Sequence, residues 1–582
     1  MFARRWLPLI AVSLSAFLAT APAASQPAAG RPKPASTQAG AKPPPHKPDN
    51  KPKHAPPAAH PPRGNDRTTP SAPRGAEPHP GTTQLTAPSP RPLELSVERV
   101  TLDNGLRIVL SPDHTLPSIA ITIGYAAGSE REAVGQNGFA RLLATIMMEG
   151  GSDHFAPGEQ LRQVRAQGGG ASAVVTRDLA MFSNLLPSSA LELGLWLEAA
   201  RMRGLQTGDD AIETAKRNLR EYREPATLTP QLALARNRID ELAFQGYWPY
   251  EHADAALPNE LVARWTSAVR DFHRAWYTPG NAVLALSGDF DPDEAIRLVR
   301  HLFGEIPKRE TPPQVADILV PDQTNQRSTI VQVPEGTQQG VVCGWTIPAE
   351  GQPEYAALAV AASILSDRSR FGTRVRSDRL RRLQPSTDLQ IRMEPRRGHG
   401  VLTITLAVPP GANTDDEKAR LDAAIDELAR LGPSAEELRY AWSDVELRFL
   451  VGMESPQQRS LTLARAELVQ GDAGLVRAVP ATLLAVTRDD VRKAVARHLT
   501  PSRRSVVEVR GPKPPPPPPP SNARPAAPPA SPAHPAAGGH GAAGRHGPGP
   551  AGHATSKPAR KNPSAAPPKK KNASPKPRNK RP

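Results

Sequence analysis

The chain has 582 residues, of which 68 are proline and 4% aromatic, so a large part of it cannot bury enough apolar surface to form a core. One cysteine, Cys343, excludes an internal disulfide. The net charge of +16 lies in the tails: residues 511–582 carry +13 with no Asp or Glu, residues 24–91 carry +7, and with Arg4 and Arg5 also set aside residues 92–510 carry −6.

Residues 1–23 read as a signal peptide. Arg4 and Arg5 precede an apolar run from Trp6 to Thr20, and Ala21-Pro22-Ala23 offers a small-residue cleavage site. The run is short for a membrane span, so the expected location is exported, periplasmic or extracellular, with no transmembrane helix after signal removal. Residues 24–92 are a Pro/Ala/Lys-rich tether, extended and partly polyproline II.

Folding signals start at Leu93. Val97–Leu102 and Leu106–Leu110 flank Asp103-Asn104-Gly105 and predict a hairpin. Ser118–Tyr125 alternates like a half-buried strand. In Gly138–Gly150, Phe139, Leu142, Leu143 and Ile146 recur at helical spacing. A short helix over 159–166, strands over Ala171–Val175 and Met181–Leu186, and helices near 188–203, 208–223 and 230–245 follow. His273 is expected half-exposed on a helix that Pro279 and Gly280 end, and Ala282–Leu286 reads as a buried strand before the helix Pro292–Phe303.

After a linker (308–326), strands are expected at Thr329–Val333, Val341–Ile347, Leu402–Val408 and Ser505–Val509. Helices are expected at Tyr355–Leu365, Asp416–Leu431 and Ser434–Leu450. Cys343 reads as a small hydrophobe in its strand. Thr278-Pro279 and Thr500-Pro501 each precede a strand, and Leu232–Arg236 matches Leu461–Arg465 at a similar offset. An offset as long as a domain implies two homologous domains, 93–307 and 327–510. The fold class is α+β, an antiparallel-rich sheet packed with helices in each domain, flanked by disordered Pro-rich tails. The basic tail 511–582 is either a spacer or a binder of anionic envelope polymers by counterion release. No Gly-x-Ser-x-Gly elbow, Walker loop, paired-Cys zinc site or His-Glu-x-x-His occurs in either direction.

The frame Gly138-Phe139-Ala140-Arg141-Leu142-Leu143-Ala144-Thr145-Ile146-Met147-Met148 resembles the zinc helix of the insulinase/pitrilysin family, whose motif is His-x-x-Glu-His. The segment Phe272-His273-Arg274-Ala275-Trp276-Tyr277-Thr278-Pro279-Gly280-Asn281-Ala282, with Gly288-Asp289-Phe290, resembles that family's helix–turn–strand closing the first domain. The resemblance spans about residues 95–510 and is looser in the second domain. It implies two insulinase-like domains, zinc chemistry and peptide cleavage. It also sets Arg141, Ala144 and Thr145 where the family has His, Glu and His. Glu221 falls near the family's third-ligand position. An Arg141–Glu221 ion pair could fill the vacated site, or both could be solvated surface residues.

The metal ligands and the catalytic base are thus missing, and no bound cofactor is expected although zinc is the family's metal. Arg381 matches a substrate-binding Arg of the family, while no Tyr stands near Thr387 or Asp388 to match its companion. The seven arginines between 368 and 382 form either a solvated face or a basic face for an anionic partner. By resemblance, the edge strand over Ala171–Val175 would pair with extended peptides. The expected role is a non-catalytic, peptide-binding subunit beside a catalytically active insulinase-family partner. A stand-alone envelope scaffold tethered by its basic tails, and an enzyme with an unrecognised metal site, are the alternatives.

Overall fold

The computed structural model describes residues 93–221, 230–252, 266–310, 320–366, 388–408 and 413–512. The signal segment, the tether 24–92, residues 311–319 of the linker, Arg381 and the tail beyond residue 512 lie outside them. The first half runs β1 (Glu98–Thr101), β2 (Arg107–Pro112), β3 (Ser118–Tyr125), α1 (Phe139–Glu149), α2 (Glu159–Ala166), β4 (Gly170–Val175), β5 (Ala180–Pro187), α3 (Leu191–Arg203), α4 (Asp209–Glu221), α5 (Pro230–Ala243), α6 (Trp248–Glu251), α7 (Thr266–Trp276), β6 (Ala282–Gly288) and α8 (Pro292–Phe303). The second runs β7 (Arg327–Gln332), β8 (Gln339–Ile347), α9 (Pro353–Leu365), β9 (Asp388–Glu394), β10 (Gly400–Val408), α10 (Thr414–Leu431), α11 (Ala435–Glu454), α12 (Pro456–Gln470), α13 (Val479–Leu484), α14 (Arg488–His498) and β11 (Arg504–Arg510).

Local chemistry sets many of these boundaries. Asn104 Oδ1 accepts from Leu106 N at 3.2 Å and Gly105 has φ +90°, which closes the β1–β2 hairpin. Asp291 caps α8 ahead of Pro292, and capping boxes start α11 (Ser434/Glu437) and α14 (Thr487/Asp490).

The two sheets follow one plan. The first has the order β1-β2-β6-β3-β5-β4 and the second β7-β11-β8-β10-β9. In each, one parallel pair (β2 with β6, β7 with β11) adjoins antiparallel strands. The η-turns Pro279–Asn281 and Pro501–Arg503 lead into the equivalent strands β6 and β11.

Each sheet is covered on both faces, and one cover comes from the opposite half. In the first sheet, Ile119, Ile121, Ile123 and Tyr125 of β3 point into a core with α1, α3 and α8. The other face of β3 lies under α12, with Thr122 Oγ1 2.6 Å from Ser460 Oγ. In the second sheet, Cys343 and Trp345 of β8 face a core with α9, α10 and α14. Val342 and Val507 on the opposite face pack with Leu232 and Ile239 of α5 and with Phe244 just after it. So β3 is buried along nearly its whole length rather than half-buried, because a helix from the other half of the chain supplies its second cover.

His273 also differs from expectation. It is 7% exposed, stacked against Tyr277 at 5.4 Å between centroids, and its Nε2 finds no hydrogen-bond partner among the described residues. Cys343 is buried in β8 as expected, and burial pushes its thiol up to about 12.

Candidate functional site

The apolar stripe of α1 is buried as its spacing requires: Phe139, Leu142, Leu143 and Ile146 are each at most 1% exposed. Arg141 and Thr145 lie half-buried outside that stripe, and Ala144 is buried. α4 packs along α1, with Asn218 Nδ2 donating to Glu149 and Leu219 resting on the same core. The helix that ends at Glu221 is therefore beside the motif helix. The Glu221 side chain lies outside the described residues, as does the proposed Arg141–Glu221 pair.

The donor set does not fit the family's zinc. At the positions that the resemblance assigns to the motif, Arg141 is a permanent cation and Ala144 a methyl. Thr145 has the one side-chain oxygen of the three, and its Oγ1 donates to the carbonyl of Arg141 at 3.0 Å within the same helix turn. Neither a metal-bound water nor a side-chain base can be drawn from these three residues.

What holds α1 in place was not visible in its own sequence. Gly138 occupies the N-cap and has no side chain to accept from the first turn. Glu132 does this from six residues upstream: Oε2 accepts from Gly138 N and Oε1 from Ala140 N, both at 2.8 Å. Burial raises the pKa of Glu132, against the lowering effect of His252 and those two amides. His252 Nε2 lies 3.2 Å from Glu132 Oε2, its Nδ1 is 2.6 Å from the carbonyl of Trp248, and its ring stacks on Trp248 at 4.5 Å. Because a carbonyl only accepts, Nδ1 donates to it, which leaves Nε2 facing Glu132.

Beside α1 runs β4, the edge strand of the first sheet, with Ala171 and Val175 packed on the α1 core and Ser172 Oγ accepting from Gln457 Nε2 of α12 at 3.0 Å. No strand among the described residues pairs its outer edge. The β4–β5 turn that follows carries Arg177, which donates to Asp240 Oδ2 from Nε at 3.1 Å and Nη2 at 2.6 Å. Arg396, in the β9–β10 turn of the second half, reaches Oδ1 of the same carboxylate at 2.7 Å and lies over the rings of Phe244 and Tyr250. The β4–β5 turn is thus tied through Asp240 to the β9–β10 turn of the second half.

Among the described residues no helix is long and apolar enough to cross a membrane, and no group of three or more His, Cys, Asp or Glu is placed to hold a metal ion.

Comparison with known proteins agrees with this architecture. The family model described as the peptidase M16 inactive domain matches residues 266–443. The zinc protease PqqE of Helicobacter pylori is 24% identical over 276 residues, which are 46% of this chain and 61% of that protein, less than two thirds of its length. An uncharacterized zinc protease of Mycobacterium bovis is 25% identical over 421 residues, 72% of this chain and 94% of the relative. The crystal structure of a protease from Helicobacter pylori superposes with a TM-score of 0.63 at 20% identity, covering 72% of this chain and 99% of that one. The chain is an insulinase-family (M16) peptidase homologue.

Proposed function

We propose that this protein is an exported, non-catalytic member of the insulinase family that binds extended peptide and works beside a zinc-bearing relative as the inactive subunit of a heteromeric metallopeptidase. The observation that carries the reading is the motif helix itself, where a guanidinium, a methyl and a self-bonded hydroxyl stand at the family's ligand and base positions. The peptide-holding part rests on β4, whose outer edge is open beside α1, so that main-chain addition of an extended segment needs no metal. Arg381 is assigned a contact to bound peptide by resemblance alone. Export rests on residues 1–23, and the basic tails are assigned to anionic envelope polymers.

The test is to purify the full chain alone in the presence of zinc, measure bound metal, and assay cleavage of unstructured peptides with and without a co-purifying relative that has an intact His-x-x-Glu-His. Sub-stoichiometric zinc, no cleavage alone, and activity in the complex are expected. Stoichiometric zinc together with cleavage by the isolated chain sinks the proposal. Recovery without any such partner, combined with envelope binding that is lost when the tails are removed, would favour a stand-alone scaffold.

A further inference from the structure

The two sheets differ at one edge. In the first, β2 has β1 on its outer side, folded back through the Asn104-Gly105 turn. β7, the counterpart of β2, has no such neighbour: no strand among the described residues pairs its outer edge. The chain ahead of β7 is held toward β11 instead, because the buried side chain of Gln323 donates from Nε2 to the carbonyls of Arg504 at 2.8 Å and Asn325 at 3.0 Å.

The backbone of β7 divides by parity. Val333 N donates to Arg510 O at 2.9 Å, which continues the parallel ladder with β11 one residue past the end of β7. In a parallel ladder alternate residues turn both main-chain groups toward one neighbour. Thr329 and Val331 therefore bond to β11, while Ser328, Ile330 and Gln332 turn N–H and C=O outward. The side chains divide the same way. Val331 packs on the α5 face, and Ser328, Ile330 and Gln332 are exposed, Ile330 at 51%. The strand holds no Lys or Pro to guard this edge, and Arg327, its one charge, reaches back to the carbonyl of Leu242 in α5. At the far side of the same sheet, β9 carries Asp388, Arg392 and Glu394.

We propose that β7 is a self-association edge: two copies of the chain pair their β7 strands antiparallel across a twofold axis, Ile330 opposite Ile330, joining their second sheets into one.

This register satisfies the backbone and the side chains at once. Opposite residues of an antiparallel pair lie on one face of the sheet and, in a hydrogen-bonded pair, exchange two bonds. Centring on Ile330 sets Ser328 opposite Gln332 of the second copy, so the outward N–H and C=O of all three residues find partners. The same register covers each exposed Ile330 with the other and places a hydroxyl beside a carboxamide on either side. A slip of one residue sets outward groups against inward ones and Ile330 against a residue of the other face. The contact is isologous and closes at two copies.

The experiment is sedimentation of the full chain from about 1 to 100 μM, since a contact of one strand is smaller than a standard interface and the dimer correspondingly weak. Wild type should pass from monomer to dimer across that range. I330K sets two like charges opposite each other at an exposed position, so its Kd should rise about tenfold or more while its thermal midpoint stays unchanged. An equimolar mixture of S328C and Q332C chains should form a disulfide-linked dimer on oxidation, and neither should do so alone; Cys343 is buried and does not compete. Monomeric wild type across the range overturns the proposal, whether residues 311–319 cover the edge in cis or only a strand of the zinc-bearing relative does. A dimer that I330K leaves intact, or one in which the mixed cysteine chains fail to cross-link, overturns it as well.

Discussion

Leu468 of α12 lies directly over Gly124 of β3: a Cβ placed on Gly124 would come 2.7 Å from Leu468 Cδ1. The same relationship recurs in the second half, where Ile239 of α5 lies over Gly344 of β8 and would overlap any Cβ there. Leu468 and Ile239 hold the same position relative to the matching stretches Leu461–Arg465 and Leu232–Arg236. The repeated stretches are therefore the two exchanged helices, and the glycines are where each helix reaches the other half's sheet. Gly124→Ala and Gly344→Ala should each destabilise the protein by roughly 1–3 kcal/mol through overpacking. Gly208→Ala, at an exposed glycine with nothing within 4 Å, should change little. Denaturant unfolding of the three variants checks this.

The exchange also bears on how much of the chain folds as a unit. A fragment of residues 93–307 carries α5 without the sheet it covers and lacks α12 over β3. A fragment of residues 327–510 has the reverse defect. The expected outcome is that each fragment alone exposes its uncovered sheet and lacks the near-ultraviolet circular dichroism of fixed aromatic packing. Co-expressed, the two should associate and recover it. Cooperative unfolding of either fragment alone would contradict this account.

Much of this fold was legible in the sequence, and the gaps have physical causes. α1 shows its apolar stripe because only one of its faces is fully buried, and that stripe's spacing also puts Arg141, Ala144 and Thr145 on the helix. α12 was not placed, because Arg459, Ser460, Leu461, Thr462, Leu463 and Ala464 are buried consecutively and leave no stripe to read. β3 read as half-buried because its alternation shows Thr122 and Gly124 on the second face, where a hydroxyl bonded to Ser460 and a missing side chain fit a helix rather than water. The cap that fixes α1 joins Glu132 to His252 across 120 residues, a separation no local pattern reports.

That cap gives the next prediction. Glu132→Ala leaves the amides of Gly138 and Ala140 without their acceptor and His252 without its buried partner. The loss should be roughly 3 kcal/mol, between that of an ordinary helix cap and that of a broken buried pair. Glu132→Gln retains one acceptor and should cost less. Thr145→Val, which removes only a hydroxyl bonded to its own helix turn, should cost under about 1 kcal/mol. Urea unfolding of the three variants would order them, and a Thr145→Val effect equal to that of Glu132→Ala would refute the assignment of Glu132 as the anchor of α1.

The buried ring of His273 gives a prediction for stability in acid. Burial, helped by the positive charge of Arg309, lowers it to about 4, against an unfolded value near 6.5. Between pH 6.5 and 4 the unfolded chain takes up a proton that the folded protein refuses, so stability is lost as pH falls through that window. At about 1.4 kcal/mol per unit, the contribution is roughly 3 kcal/mol, all of it gone by pH 4. His273→Phe preserves the stacking on Tyr277 and removes the titration, so it should flatten the acid limb of a stability-versus-pH curve while leaving the value at pH 7 nearly unchanged. An acid limb of undiminished slope in that variant would assign the loss to other groups and return His273 to a passive place in the core.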